Sequence, residues 1–266
     1  MQSSHTPLST WFWAAYLVTT QTPGQSALQF QRQLGLSRYE TAFQILHKLR
    51  AGMVRPERAM LGGDYAVEAD ETLIGGPTHG FGKGVPRMTT VIGAVEVRPR
   101  KDGEGRTASR HAHHEGGKPL KKLVYAGRLR WRVIENRSAE TCTGFLVDNV
   151  VPGSKVRTDA NPSDSTLTSL GYVHDILTLH GDPEKAEAHL PMMHLVFSNL
   201  KTWINGTHHG RIESQHLQAY LNEFVFRFNR RFYPMTGFNS VLGLAARSVP
   251  PTYEALYSGE WQHPAG

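Results

Sequence analysis

The hydrophobic pattern divides the chain into a helical start, a strand-rich centre and a helical end. Over residues 6 to 50, breaks at Pro23-Gly24 and Gly35 separate three predicted helices. The third is the clearest: Ser37 and Glu40 form a capping-box pattern, and apolar residues then recur at helical spacing. Those apolar positions are Ala42, Ile45, Leu46 and Leu49.

Strand patterns dominate the centre of the chain. Five segments predict strands: Tyr65–Ala69, Val91–Val97, Leu129–Val133, Lys155–Asp159 and Tyr172–Ile176. A helix is predicted at 138–146, between the third and fourth strands, and a shorter one separates the fourth from the fifth. Strands that come first and then alternate with helices predict an α/β domain with a mixed sheet.

The pattern of the remaining residues predicts two long helices and completes the expected division into domains. After Leu190 the pattern is helical, and an apolar stripe runs from Leu217 to Phe228. We therefore expect a helical region at residues 1–60, the main domain at 61–233 and a C-terminal tail at 234–266. A flexible basic insertion is expected at about 98–122, because that segment is rich in Gly, Lys, Arg and His and has few apolar residues to bury.

The second and third helices of the N-terminal region permit two interpretations. Joined around Leu34–Ser37, they resemble a helix-turn-helix, whose second helix would bring Arg38 and Lys48 to a DNA major groove. Alternatively, they form a helical cap packed on the main domain, with those two side chains in solvent. The sequence pattern leaves both interpretations open.

The charge of the chain adds a candidate partner. The formal net charge of +6 favours a polyanion such as nucleic acid, and binding would then depend strongly on salt. Three arginines alternate with apolar residues in the third strand and predict a positive sheet face; they are Arg128, Arg130 and Arg132. A basic helix end could serve the helix dipole or a phosphate, and it contains Arg227, Arg230 and Arg231.

Cysteine content and hydropathy restrict the class of protein. With Cys142 as the single cysteine, the sequence excludes an internal disulfide framework and a Cys-based zinc site. The apolar stretch from Trp11 to Val18 is too short to cross a bilayer and lacks the basic start of a signal peptide. We therefore expect a cytoplasmic protein without a membrane partner.

Two acids stand where apolar strands end. Asp70 follows the first predicted strand, and Asp159 ends the fourth. Separated carboxylates of this kind suit a two-metal phosphoryl-transfer site, because hard divalent cations require oxygen ligands at fixed positions. Together with the basic charge, they indicate nucleic-acid chemistry.

Several motifs in one order resemble the ISXO-like insertion-sequence transposases. The resemblance extends over roughly Thr6 to Arg231 and is carried by Val67–Gly76, Arg157–Asn161, Gly171–His174, His216–Phe224 and Phe226–Arg231. It implies an α/β catalytic domain with the RNase H-like fold of DDE recombinases, in which helices flank a mixed sheet.

The resemblance also implies site residues and cofactors. Asp70 and Asp159 match the first two catalytic aspartates, and His194, 35 residues after Asp159, occupies the third catalytic position. Lys201 matches the lysine that follows this third position and is implied in catalysis and DNA contact. Asp70, Asp159 and His194 would bind two divalent metal ions, Mg²⁺ or Mn²⁺.

The implied function is transposition of a bacterial insertion sequence. The protein would cleave phosphodiester bonds at element ends and transfer the 3′-hydroxyl into target DNA. Its expected partners are double-stranded DNA and further copies of itself, with no small-molecule substrate. Because His194 replaces the usual acid and the family's Cys-rich zinc ribbon has no counterpart here, the alternative is a truncated, catalytically impaired DNA-binding protein. A structure-selective nuclease is a third possibility.

Overall fold

The computed structural model describes residues 4–21, 24–55, 58–75, 88–100, 124–159, 166–177, 189–208, 212–247, 249 and 251–258. The described helices are α1 (Leu8–Thr20), α2 (Ala27–Gln33), α3 (Tyr39–Ala51), α4 (Ala139–Asn149), α5 (Pro191–His208), α6 (Ser214–Phe228), α7 (Pro234–Ala245) and α8 (Tyr253–Ser258). The described strands are β1 (Ala66–Ile74), β2 (Thr89–Pro99), β3 (Val124–Ile134), β4 (Lys155–Asp159) and β5 (Val173–Leu177).

The three predicted N-terminal helices are confirmed, although one predicted cap is wrong. The Ser26 hydroxyl accepts a hydrogen bond from the Gln29 backbone N–H at 3.2 Å and so begins α2. The N-cap of α3 is Arg38, with no side-chain capping bond, rather than Ser37.

The five strands form one mixed sheet in the order β3-β2-β1-β4-β5. β1 pairs antiparallel with β2, and β2 pairs antiparallel with β3. β4 is parallel to both β1 and β5. The predicted mixed α/β sheet is confirmed, and β1 lies at its centre. The predicted insertion begins late, because β2 continues to Pro99; residues 101–122 lie outside the described part of the chain.

Helices cover both faces of this sheet. On one face, Val67 and Ala69 of β1 belong to a buried cluster with residues of α4. On the other, Trp131 of β3 belongs to a larger buried cluster with residues of α5 and α6. Side chains alternate along each strand, so neighbouring β1 residues enter different layers.

The N-terminal helices form a third core together with α7. This cluster contains Trp11, Phe30 and Leu46 from the N-terminal region, Phe226 from α6 and Val241 from α7. The segment predicted to be a C-terminal tail thus includes a helix packed on the N-terminal region. α3 buries most of its residues here, which favours the interpretation as a helical cap over that of a free recognition helix.

α6 supports the outer edge of β3 with amide side chains. The Asn229 side chain, just after α6, accepts from the Leu129 N–H at 2.8 Å and donates to the Leu129 carbonyl at 3.1 Å. The Gln218 side chain accepts from the Val133 N–H at 2.9 Å. These bonds satisfy backbone groups of β3 on the side where no described strand pairs with it.

A buried ion pair joins α6 to α3. The Arg50 Nε donates to the Glu223 carboxylate at 2.8 Å, and both side chains are almost fully buried. Arg227 donates to the other Glu223 oxygen at 3.1 Å, and the Arg50 guanidinium lies 4.6 Å from the centre of the Tyr220 ring. Glu223 therefore holds two cations where the N-terminal helices meet the main domain.

Removing Glu223 should destabilise the fold. In a Glu223→Ala variant two buried or half-buried guanidinium groups lose their carboxylate, which typically costs about 3–5 kcal/mol. Urea denaturation would measure the loss in the free energy of unfolding. The matched control is Glu213→Ala, since the Glu213 side chain is 75% exposed; equal effects of the two substitutions would contradict this role.

Candidate functional site

The register of two parallel strands brings Asp70 and Asp159 side by side. Val67 pairs with Val156 and Glu68 pairs with Arg157 between β1 and β4. Asp70 and Asp159 each lie two residues beyond the last pair, on the sheet face of Glu68 and Arg157, and the charge of Asp159 acts on Asp70. Two carboxylates thus meet at the point where β4 ends.

Asp70 lies in a setting that disfavours its charge. Burial raises the pKa of Asp70 from an ordinary 3.8 to about 7, and the negative charge of nearby Asp159 adds to the rise. The β2 residue opposite Asp70 is Gly93, where any added side-chain carbon would collide with Trp131 and Met193. These two fully buried side chains fill the space beside Gly93, and Asp70 itself is half-buried.

Glu71 belongs to the other side of the sheet, as its position next to Asp70 predicts. Its carboxylate accepts a hydrogen bond from the Cys142 thiol of α4 at 3.1 Å. Cys142 is itself buried in the α4 layer, as predicted from its helical context. Glu71 therefore has a structural contact away from the paired aspartates.

Glu68 holds the start of α5, a role that the sequence pattern did not reveal. Its fully buried carboxylate accepts from the backbone N–H groups of Met192 and Met193 at 2.8 and 2.9 Å. These are orphan donors in the first turn of a helix, and a negative charge there also suits the helix dipole. A residue of β1 thus caps a helix 124 positions away in the chain.

His194 and Lys201 both lie on α5, but their side chains differ in solvent exposure. His194 follows Met193 directly, is half-buried and contacts the Phe197 ring edge-on at 6.4 Å between centroids. Lys201 is exposed and lies two helical turns further on. The predicted placement of both residues on one helix is therefore found.

The three predicted metal ligands do not form a compact cluster. Among the described residues, no group of three or more His, Cys, Asp or Glu side chains is close enough to hold one metal ion. The structure therefore brings Asp70 and Asp159 together, and the role of His194 as a third ligand stays a prediction. The paired aspartates still fit a divalent cation, because carboxylate oxygens are its preferred ligands and a cation would relieve the charge conflict at Asp70.

Two arginines near the aspartates were also missed by sequence reasoning. Arg157 lies between acids, with its guanidinium 3.9 Å from Glu68 and 3.4 Å from Asp175. The positive charge of Arg137 acts to lower the pKa of Asp70, opposing the effect of burial. Arg157 lies in one of the motifs that resemble the transposases but has no implied role there, and Arg137 lies in none of them; the folded arrangement is what brings both charges near the acids.

The arginines of β3 have partners within the protein. Arg128 is paired with the buried Glu96 at 2.6 Å, and Arg132 with Asp148 at 2.9 Å. Arg130 is buried and donates to the Ala59 carbonyl at 2.9 Å. The predicted open positive face is therefore wrong for β3, because α4 and the segment before β1 cover it; a DNA-binding role for these arginines stays a prediction.

The basic end of α6 is also tied to the fold. Arg227 donates to Glu223 and to the Gln21 carbonyl. Arg230 lies 3.8 Å from the centre of the Phe226 ring, and Arg231 donates to the Phe228 and Ala126 carbonyls. In contrast, Arg38 is exposed and Lys48 half-exposed. DNA binding by these five residues stays a prediction.

The sheet order and the paired acids define the class of protein. A mixed sheet in the order β3-β2-β1-β4-β5 with helices on both faces is the RNase H-like fold. Residues 60–229 match the ISXO2-like transposase domain, and the chain belongs to that DDE transposase family. No protein among those with curated functions matches the chain.

The residues that match the family include the whole candidate site. It begins before β1 and ends at Asn229, so it includes both aspartates, α5 and α6. None of the helices in the described part of the chain has the length and apolar character needed to span a membrane.

The charge conflict at Asp70 predicts how stability depends on pH. Its raised pKa means that the folded state holds this proton more tightly than the unfolded chain, so stability is lost as pH rises toward 7. Asp70→Asn removes the conflict. The free energy of unfolding of the variant, relative to that of the wild type, should therefore rise by about 2–3 kcal/mol between pH 5 and pH 8 in metal-free buffer. Denaturant titrations at the two pH values would measure this; a constant difference would contradict it.

Removing the Glu68 carboxylate should release the first turn of α5. Glu68→Ala leaves two buried N–H groups without their acceptor, and we expect a loss of about 3 kcal/mol in the free energy of unfolding. Glu68→Gln retains an acceptor oxygen and should lose less. Hydrogen exchange of the Met192 and Met193 backbone amides would locate the effect. Exchange should be faster in the alanine variant than in the wild type, and unchanged exchange would exclude the capping role.

Proposed function

We propose that this protein is the transposase of an insertion sequence, cleaving phosphodiester bonds at element ends and joining the freed 3′-hydroxyl to target DNA. The observation that supports the proposal best is the pair of neighbouring acids Asp70 and Asp159, which lie just beyond the parallel pairing of β1 with β4. The pair lies within a region that matches the ISXO2-like transposase domain.

Asp70 and Asp159 would hold two divalent metal ions, Mg²⁺ or Mn²⁺, with His194 as a further ligand. Such ions, when bound, activate the attacking oxygen and stabilise the leaving oxygen. The protein supplies a buried carboxylate at Asp70, where attraction to a cation is screened less than in water. Without metal the pKa of Asp70 is about 7, and a bound cation would favour the charged carboxylate that a ligand needs.

α5 would place the remaining functional groups. Glu68 fixes the first turn of α5 relative to β1, and His194 follows that turn directly. Lys201, exposed two turns further along, is available to a DNA phosphate. On this proposal His194 would be a ligand supplied from the helix, and Lys201 would contact the substrate.

We assign the catalytic domain to residues 61–233 and the helical cap to residues 1–60 together with α7. Both units would act on double-stranded DNA, in agreement with the net charge of +6. Element ends must be brought together before they are joined to a target, so we propose that several copies of the chain assemble on DNA.

Replacing either aspartate should abolish DNA cleavage without abolishing DNA binding. Asp70→Asn and Asp159→Asn retain size and remove the charge that a cation requires, so we expect losses of at least about 100-fold in Mg²⁺-dependent cleavage of DNA with the element's terminal repeats. Gel analysis would detect nicked and joined products, and a mobility-shift assay would report binding.

The matched control is Glu71→Gln, which changes the adjacent acid on the opposite sheet face and should retain cleavage. Metal-dependent cleavage by both aspartate variants would contradict the assignment. DNA binding without cleavage by the wild type would identify the catalytically impaired alternative, and cleavage without joined products would identify a nuclease.

A further inference from the structure

A small cavity lined by five arginines lies at the β3 edge of the sheet. Its volume is about 260 Å³, and the arginines are Arg55, Arg58, Arg128, Arg130 and Arg230. The other described residues that line it are apolar or carry neutral amides, and none of them is acidic. The cavity does not include Asp70, Asp159, His194 or Lys201.

We infer that this cavity binds a phosphate group of a nucleic-acid backbone, at a position apart from the paired aspartates. The inference rests on the proposed function for the identity of the ligand. Guanidinium groups suit this ligand because each can donate two parallel hydrogen bonds to phosphate oxygens.

Three separate parts of the chain form the cavity and fix its arginines. Arg128 and Arg130 extend from β3 and donate to the Met60 and Ala59 carbonyls at 2.8 and 2.9 Å. Arg230, just after α6, lies over the Phe226 ring and donates to the Phe226 carbonyl at 3.2 Å. These contacts hold three guanidinium groups in place before any ligand binds, which lowers the entropic cost of binding.

Five arginines line the cavity, and the charges of Glu96 and Asp148 act on them from outside its lining, with Asp148 also paired with Arg132. Glu96 pairs with Arg128 at 2.6 Å, but it also pairs with Arg98 at 2.6 Å. One carboxylate is thus shared between two arginines, while Arg55, Arg58, Arg130 and Arg230 also face the cavity.

Burial and the neighbouring positive charges lower the pKa of two arginines in the cavity. Burial lowers the pKa of Arg130 to about 10, and the positive charges of Arg58 and Arg128 add to the effect. Burial likewise lowers the pKa of Arg230 to about 10, with a contribution from Arg55. An anion in the cavity would offset this repulsion.

The size and position of the cavity suit one phosphate of a longer DNA. Its volume lies below the range of about 300–1,000 Å³ that is typical of sites for drug-sized ligands. β3 is separated from β1 by β2, so the cavity lies about 10 Å or more to the side of Asp70. A duplex turn extends over about 34 Å, but Arg128 and Arg130 project from the sheet face opposite that of Asp70, so a DNA that contacts both places would pass around the β3 edge.

The test is DNA binding by an Arg55→Gln/Arg58→Gln variant, measured by fluorescence anisotropy of a labelled duplex without divalent metal over a series of KCl concentrations. Both arginines line the cavity from the segment before β1. We expect affinity to fall by about tenfold near 0.1 M KCl, and the slope of log K against log salt to fall by about 1.

The matched control is Arg32→Gln, which removes an exposed arginine of α2 that does not line the cavity. The thermal midpoints of all variants are compared with that of the wild type, and the single Arg55→Gln variant replaces the double variant if the latter is unfolded. Unchanged DNA affinity and salt slope in the cavity variant would overturn the inference.

Titration calorimetry with inorganic phosphate distinguishes the source of the anion. Phosphate that binds to the wild type and competes with DNA supports the inference. Phosphate binding that the cavity variant loses, with DNA binding unchanged, would show a free-anion site and overturn the DNA assignment. Because binding is measured without metal, these results are independent of the cleavage test of Asp70 and Asp159.

Discussion

The position of α5 against the sheet depends on one buried carboxylate. Glu68 accepts two hydrogen bonds from the first turn of α5, and it lies two residues before Asp70 on the same face of β1. The strand that contains the first aspartate therefore also fixes the helix that contains His194 and Lys201. Arg157 of β4 also approaches Glu68, so this one side chain of β1 contacts both α5 and β4.

The class of fold and much of the element order could be predicted from the sequence. The strand Lys155–Asp159 has the predicted bounds, and all three N-terminal helices occur. Local patterns suffice there, because strand alternation and helix breaks depend on nearby residues. The positive face predicted for β3 was wrong because alternation separates two faces without showing what covers them. The Glu68 contact could not be predicted, since its partners are remote in the chain.

α6 shows why a family motif does not by itself identify a DNA contact. Two of the motifs that resemble the transposases contain Gln218, Glu223 and Asn229, and each of these has a structural partner in β3 or α3. The second of these motifs also contributes Arg230 to the arginine-lined cavity. Most of these residues thus stabilise the fold, while Arg230 belongs to the proposed phosphate site.

The amide contacts of Gln218 and Asn229 also affect how copies of the protein can meet. Unprotected edge strands recruit strands of other molecules and so promote aggregation. On β3 the side chains of α6 already occupy outward-facing backbone groups of Leu129 and Val133. A second molecule therefore cannot extend the sheet through those positions, and self-association at that edge would have to proceed through side chains instead of intermolecular β-pairing.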